Sequence, residues 1–92
     1  MVTAVILINV ERQMLNQVVE KVMKIEGISE VHAVAGEHDL VAVARVKDNA
    51  QLSAIIADKM CQNIKGITHT KTLIAISSYF NYDAASAYPK IF

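Results

Sequence analysis

Residues 25–29 (IEGIS) and 64–68 (IKGIT) carry nearly the same sequence, and this repeat decides the fold of the chain. Each segment follows an amphipathic helical pattern and leads into a β-rich run. Glycine commonly ends a helix because it can adopt the left-handed conformation that closes the last turn. A helix–glycine–strand joint that occurs twice in 92 residues indicates a duplicated half-unit.

The composition predicts one domain with more apolar surface than its own core can bury. A chain of 92 residues has room for a single, modest core, yet 53% of this sequence is hydrophobic. We therefore expect a partner, most simply a second copy, to cover the excess. No uncharged apolar run reaches the roughly 18 residues of a membrane span, and residues 2–10 lack the flanks of a signal peptide. No membrane association is predicted.

The charge pattern argues against direct nucleic-acid binding. The formal net charge is +0, and the Lys and Arg residues are scattered, so no stripe of positive charge is available to follow a phosphate backbone. The single cysteine, Cys61, cannot form an internal disulfide, which is typical of a reducing cytoplasm. We expect a cytoplasmic protein.

The hydrophobic pattern predicts the element order β-α-β-β-α-β. The predicted strands cover residues 3–10, 29–35, 40–46 and 67–78. The first helix is predicted over residues 13–24 from its helical spacing of apolar side chains. The second helix is predicted to begin after Asp48 and to stop at Gly66, because Asp48 and Gln51 form the pattern of a capping box.

Two βαβ-type halves joined at Gly36 predict an α+β fold, a ferredoxin-like sandwich with a four-stranded antiparallel sheet and two helices on one face. The central strands are apolar on both faces, whereas the helices can cover only one. We therefore expect dimerisation through the sheets, as in a dimeric α+β barrel. Residues 1–80 are assigned to this domain.

Residues 81–92 are interpreted as a C-terminal tail. All of the aromatic side chains lie at the end of the chain: Tyr79, Phe80, Tyr82, Tyr88 and Phe92. We expect this aromatic segment to pack on its own domain or on a neighbouring subunit, since Tyr and Phe are favoured contact residues. A frayed terminus is the alternative.

The middle of the chain resembles a known family. Residues 34–41 (VAGEHDLV) precede Asp48 and its helix, and residues 64–67 (IKGI) precede the alternating threonines Thr70 and Thr72. This order resembles the effector-binding (RAM) domain of the Lrp/AsnC (leucine-responsive/asparagine regulator) family of bacterial and archaeal transcription factors. The resemblance covers residues 3 to 80.

The resemblance implies a stand-alone effector domain, because full-length family members begin with a helix-turn-helix domain and this chain starts at its first strand. The initiating Met1 favours a natural small protein. The resemblance further implies a homo-oligomer, with dimers joined into tetramers or octamers, and a free amino acid bound between dimers. Co-assembly with full-length Lrp/AsnC regulators follows as an expectation. No cofactor is implied.

The resemblance also implies the positions of the ligand site. The candidate ligand-binding residues are Gly36, Glu37, His38, Asp39, Leu40, Thr70 and Thr72. A carboxylate at Asp39 suits an α-ammonium group, although Asp39 can equally anchor the turn through nearby amides. Gly36 suits a tight turn and can expose its N–H to a ligand. Glu37 and His38 are as well explained by a solvated loop, and the threonines by strand formation.

Other functions have weaker sequence support. His32, His38 and His69 lie on separate predicted elements without the spacing of a metal site, so no metal is predicted. Dimeric α+β folds also host cofactor-independent monooxygenases and isomerases, but His32 is the only polar residue that could point into the space between sheet and helices. An ACT-like assembly domain usually has a glycine-rich first loop, which residues 9–13 (NVERQ) lack.

Overall fold

The computed structural model describes residues 1–81 and confirms the ferredoxin-like fold. The elements are β1 (Val2–Val10), a 3-10 turn (Arg12–Met14), α1 (Leu15–Met23), β2 (Ile28–Ala33), β3 (Leu40–Val46), α2 (Asn49–Ala54), a π-helix (Ile55–Gln62) and β4 (Ile67–Ile74). The strands form one antiparallel sheet in the order β2-β3-β1-β4. Among residues 1–81, no helix has the length and apolar character that crossing a membrane requires.

The core lies between one face of this sheet and the helices. Alternate residues of the two central strands are fully buried: Ala4, Ile6, Ile8, Leu40, Ala42 and Ala44. They pack against buried side chains of the helical layer, including Val18, Val22 and Ile55. Alternation of side chains along a strand places the remaining residues of β1 and β3 on the opposite face.

That opposite face, the open face, has an apolar centre. Val5 pairs with Val43, and Leu7 pairs with Val41. All of these side chains are half-buried although none of the described helices lies over them. The prediction that β1 and β3 are apolar on both faces is confirmed, apart from Thr3, Asn9 and Arg45.

Two strands end earlier than the sequence pattern predicts. β2 stops at Ala33 rather than at residue 35, and β4 stops at Ile74 rather than at residue 78. The physical reason for β4 is the length of its neighbour. The last hydrogen bond between β4 and β1 runs from Ala75 N to Thr3 O at 2.9 Å, one residue from the start of β1 at Val2. The predicted tail, apart from its first residue, lies outside the described residues.

The second helix begins as predicted and then changes type. Asp48 Oδ1 accepts a hydrogen bond from Gln51 N at 2.9 Å, while Gln51 Oε1 accepts one from Lys47 N at 2.9 Å. The predicted Asp48 cap is confirmed, whereas the Gln51 side chain reaches one residue further back than in a standard capping box, to Lys47 N rather than to Asp48 N. After Ala54 the backbone widens into the π-helix, in which the buried side chains Ile55 and Met60 are five positions apart. That spacing matches the i→i+5 repeat of a π-helix.

The two glycine joints, at Gly27 and Gly66, lie at contacts between the two halves of the fold. Gly27 and Gly66 have φ angles of 101° and 108°, which confirms the predicted left-handed conformation. A Cβ on Gly27 would lie 2.9 Å from Val46 Cγ1, and one on Gly66 would lie 3.0 Å from Met14 Cβ. Each joint therefore packs against the other half of the duplicated unit.

Candidate functional site

The β2–β3 hairpin is tied to β1 by Asn9. Asn9 Nδ2 donates a hydrogen bond to Glu37 O at 2.9 Å, and Asn9 Oδ1 lies 2.9 Å from His38 Nδ1. Since an amide oxygen can only accept, His38 donates through Nδ1–H. Asn9 is not among the predicted site residues. Its signal was available, because Asn9 interrupts the apolar run of β1.

Asp39 links the hairpin to the end of β1. Its backbone N donates to Ile8 O at 3.0 Å, and its side-chain Oδ2 accepts a hydrogen bond from Val10 N at 2.9 Å. One of the two carboxylate oxygens of Asp39, Oδ2, therefore anchors the turn. Within residues 1–81 the other oxygen, Oδ1, makes no hydrogen bond or ion pair. That oxygen is available to a ligand.

A cavity opens beside Asp39 at this end of the sheet. It has a volume of about 250 Å³ and is lined by Val10, Arg12, Leu15, Ala33, Val34 and Asp39. The lining comes from the ends of β1 and β2, from the first turns of the helical segment and from the hairpin. Pockets for drug-sized ligands span roughly 300–1,000 Å³. A cavity of this size suits a smaller molecule.

The hairpin residues have different environments. Gly36, with φ 140°, and Glu37 are exposed at the tip, and His38 is half-buried against Asn9. Leu40 is 0% exposed and belongs to the core. Of the predicted site residues, Asp39 is the one that lines the cavity.

The two threonines lie on the helix-covered face of β4. Thr70 pairs with Ile8 and Thr72 with Ile6, whose side chains are both fully buried on that face. Thr70 Oγ1 is 3.9 Å from Cys61 Sγ of the π-helix. Because β1 separates β4 from β3, Thr70 is two strand spacings, about 10 Å, from the start of β3. The structure does not bring the threonines and Asp39 together within one chain.

The histidines are also dispersed. His32 pairs with Val41 on the open face, where its Nε2 lies 3.0 Å from Glu30 Oε1. It therefore does not point into the space between sheet and helices, and the enzyme alternative loses the residue on which it depended. In the described part of the chain, no group of three or more His, Cys, Asp or Glu side chains could hold a metal ion.

Comparisons with known proteins agree with this architecture. The family model of the Lrp/AsnC ligand-binding domain matches residues 3–85. An uncharacterized HTH-type transcriptional regulator of Pyrococcus abyssi is 36% identical over 62 residues, which are 67% of this chain and 41% of the regulator. The chain thus spans about two-fifths of the length of the curated relatives it matches.

Solved structures show the same fold. The protein TTHA0845 from Thermus thermophilus superposes with a TM-score of 0.82 at 30% identity, over 88% of this chain and 100% of that protein. A transcriptional regulator of Neisseria meningitidis, solved as a complex with L-methionine, has a TM-score of 0.79 at 16% identity. That match covers 87% of this chain and 53% of the regulator. The family match over most of the sequence and the ferredoxin-like sandwich lead to one conclusion: this chain belongs to the Lrp/AsnC ligand-binding domain family.

Proposed function

We propose that this chain is an amino-acid-binding and oligomerisation module that modulates transcription through full-length Lrp/AsnC regulators. The observation that carries the proposal is the cavity beside Asp39, whose carboxylate has an oxygen free among the described residues. The Neisseria meningitidis regulator, which shares the fold, was solved with an amino acid. The proposal includes neither a catalytic step nor a direct DNA contact, and it places the chain in the cytoplasm with its regulators.

Asp39 is the proposed partner of the ligand's α-ammonium group. A charge-assisted hydrogen bond between ammonium and carboxylate is roughly twice as strong as a neutral one. Val10 N already holds Oδ2 in position, so little side-chain freedom is lost on binding. Gly36, Glu37 and His38 form the rim of the proposed site. Thr70 lies about 10 Å away across the sheet and Thr72 lies two residues further along β4, so their predicted contribution requires a second copy.

The open face is the proposed dimer interface. Its apolar centre consists of Val5, Leu7, Val41 and Val43. The two edges carry opposite charges, with Glu30 on β2 and Lys71 on β4. A twofold axis parallel to the strands would bring β2 of each copy over β4 of the other, with Glu30 two residues along the strand from the position opposite Lys71. This complementarity favours a second copy of the chain as the occupant of the face.

Ligand binding is tested by thermal shift with each of the twenty amino acids. A ligand that binds only the folded protein stabilises it by RT ln(1 + L/Kd) at a free ligand concentration L, so the melting temperature rises with the ligand concentration. At millimolar concentrations we expect at least one amino acid to raise it, and Asp39→Asn to reduce that shift. Absence of a shift with every amino acid would refute the proposed ligand class.

Oligomerisation is tested by light scattering at micromolar protein. We expect at least a dimer for the native chain and a monomer for Val43→Lys, which places a charge in the apolar centre. Leu73→Lys is the second variant; Leu73 is 50% exposed on the same face, so the fold tolerates the change. Ser53→Lys, on the exposed side of α2, is the matched control and should leave the mass unchanged. A monomeric native chain would refute the dimer.

A further inference from the structure

The cavity beside Asp39 is lined by a second charged residue, Arg12, which is not among the predicted site residues. Arg12 lies in the 3-10 turn that follows β1 and lines the same cavity as Asp39. Within residues 1–81, the Arg12 guanidinium has no carboxylate oxygen within 4.0 Å. Arg12 and Asp39 therefore border one cavity without neutralising each other, and each charge remains available to a ligand.

The backbone around Arg12 is held in place by the second glycine joint. Glu11 N donates a hydrogen bond to Gly66 O at 2.8 Å, and Met14 N donates one to Glu11 O at 2.9 Å. These bonds fix both ends of the turn that carries Arg12. A fixed backbone reduces the entropy lost when a ligand binds.

The cavity lining defines the chemistry of its ligand. A positive and a negative charge at one small cavity match a zwitterion, and the guanidinium fork matches a carboxylate in a bidentate geometry. The other lining residues are aliphatic: Val10, Leu15, Ala33 and Val34. Aliphatic walls favour a ligand that carries an apolar side chain beside its two charged groups.

We propose that Arg12 is a specificity-determining residue that binds the α-carboxylate of a free aliphatic amino acid whose ammonium group pairs with Asp39. This inference rests on the proposed amino-acid-binding function and adds the carboxylate partner and the ligand class. Selection against amides and peptides follows directly. A ligand without a free carboxylate would leave the Arg12 charge at the cavity without a partner.

The test compares ligands that each lack one charge. L-leucine, L-leucinamide (no carboxylate) and 2-hydroxy-4-methylpentanoate (no ammonium) are titrated into the ¹⁵N-labelled full chain and followed by NMR. We expect leucine to bind about tenfold or more tightly than either analogue, the effect of losing one charge-assisted contact. Arg12→Gln should abolish the preference for leucine over leucinamide and keep the preference over the hydroxy acid. Asp39→Asn should abolish the preference for leucine over the hydroxy acid and keep the preference over leucinamide.

The control is Lys24→Gln, which removes one positive charge at the opposite end of α1 and should leave both preferences unchanged. Arg12 is exposed, so Arg12→Gln should keep the native dispersion of the NMR spectrum. If leucine binds and Arg12→Gln still prefers it over leucinamide, Arg12 is not the carboxylate partner, while amino-acid binding stands. If none of the amino acids binds the native chain, both proposals are refuted.

Discussion

Asn9 Oδ1 accepts a hydrogen bond from His38 Nδ1 at 2.9 Å, joining β1 to the hairpin across 29 positions of sequence. The same side chain donates to Glu37 O, so a single asparagine holds two consecutive residues of the hairpin. His38 and Asp39 are consecutive as well, and Asp39 is bonded to the next residue of β1, Val10. Hydrogen bonds from β1 therefore hold three consecutive residues of the hairpin, Glu37 to Asp39.

Asn9→Ala should loosen the hairpin without unfolding the sheet. Each lost hydrogen bond contributes about 1 kcal/mol, and both belong to the hairpin. Hydrogen exchange followed by NMR should show faster exchange at residues 36–39 and unchanged exchange in the centre of β3. Asn16→Ala, an exposed change on α1, is the control. Equal protection of the hairpin in both variants would show that Asn9 does not restrain it.

Asp48→Ala should lower the free energy of unfolding by about 1 kcal/mol, the usual effect of removing an N-cap side chain. The Asp48–Gln51 bond is lost, which leaves the Gln51 amide without its partner. Urea denaturation measures the change. Asp58→Ala removes an exposed carboxylate whose side chain caps no helix and should change the stability by less than about 0.5 kcal/mol. Equal effects would contradict the capping role.

Gly27→Ala should destabilise the fold more than Gly36→Ala. Both positions have positive φ, which costs an alanine about 1–3 kcal/mol. At Gly27 the added methyl group would also meet Val46 Cγ1 at 2.9 Å, whereas at Gly36 no atom of residues 1–81 lies within 4 Å. Overpacking adds about 1–3 kcal/mol. Thermal denaturation of both variants provides the comparison, and a smaller loss for Gly27→Ala would contradict the close contact.

Met60→Ala should cost about 2–5 kcal/mol, because it leaves a cavity in the core. Met60 is 0% exposed in the π-helix, whereas Met23 is 47% exposed on α1. Met23→Ala is thus a control with the same change in side chain and should cost less than about 1 kcal/mol. Chemical denaturation distinguishes the two. Similar losses would indicate that the π-helix does not pack as the structure shows.

The sequence by itself determined the element order, the α+β sandwich and the boundaries of β3. Period-two and helical patterns report which side chains are buried, and burial is the dominant local signal along a chain. The two glycine joints could also be predicted from the sequence, because few residue types other than glycine adopt the left-handed conformation that ends a helix. The resemblance to the Lrp/AsnC effector domain, now confirmed, depended on the order of such local motifs.

Only the tertiary structure decided how the candidate site is composed. It placed Arg12 beside Asp39, although 27 positions separate them in sequence, and it placed Thr70 on the far side of β1. It also turned His32 onto the open face. A cavity at the end of a sheet is made by the ends of several elements, and their registers depend on the whole core. No local pattern records which ends will meet.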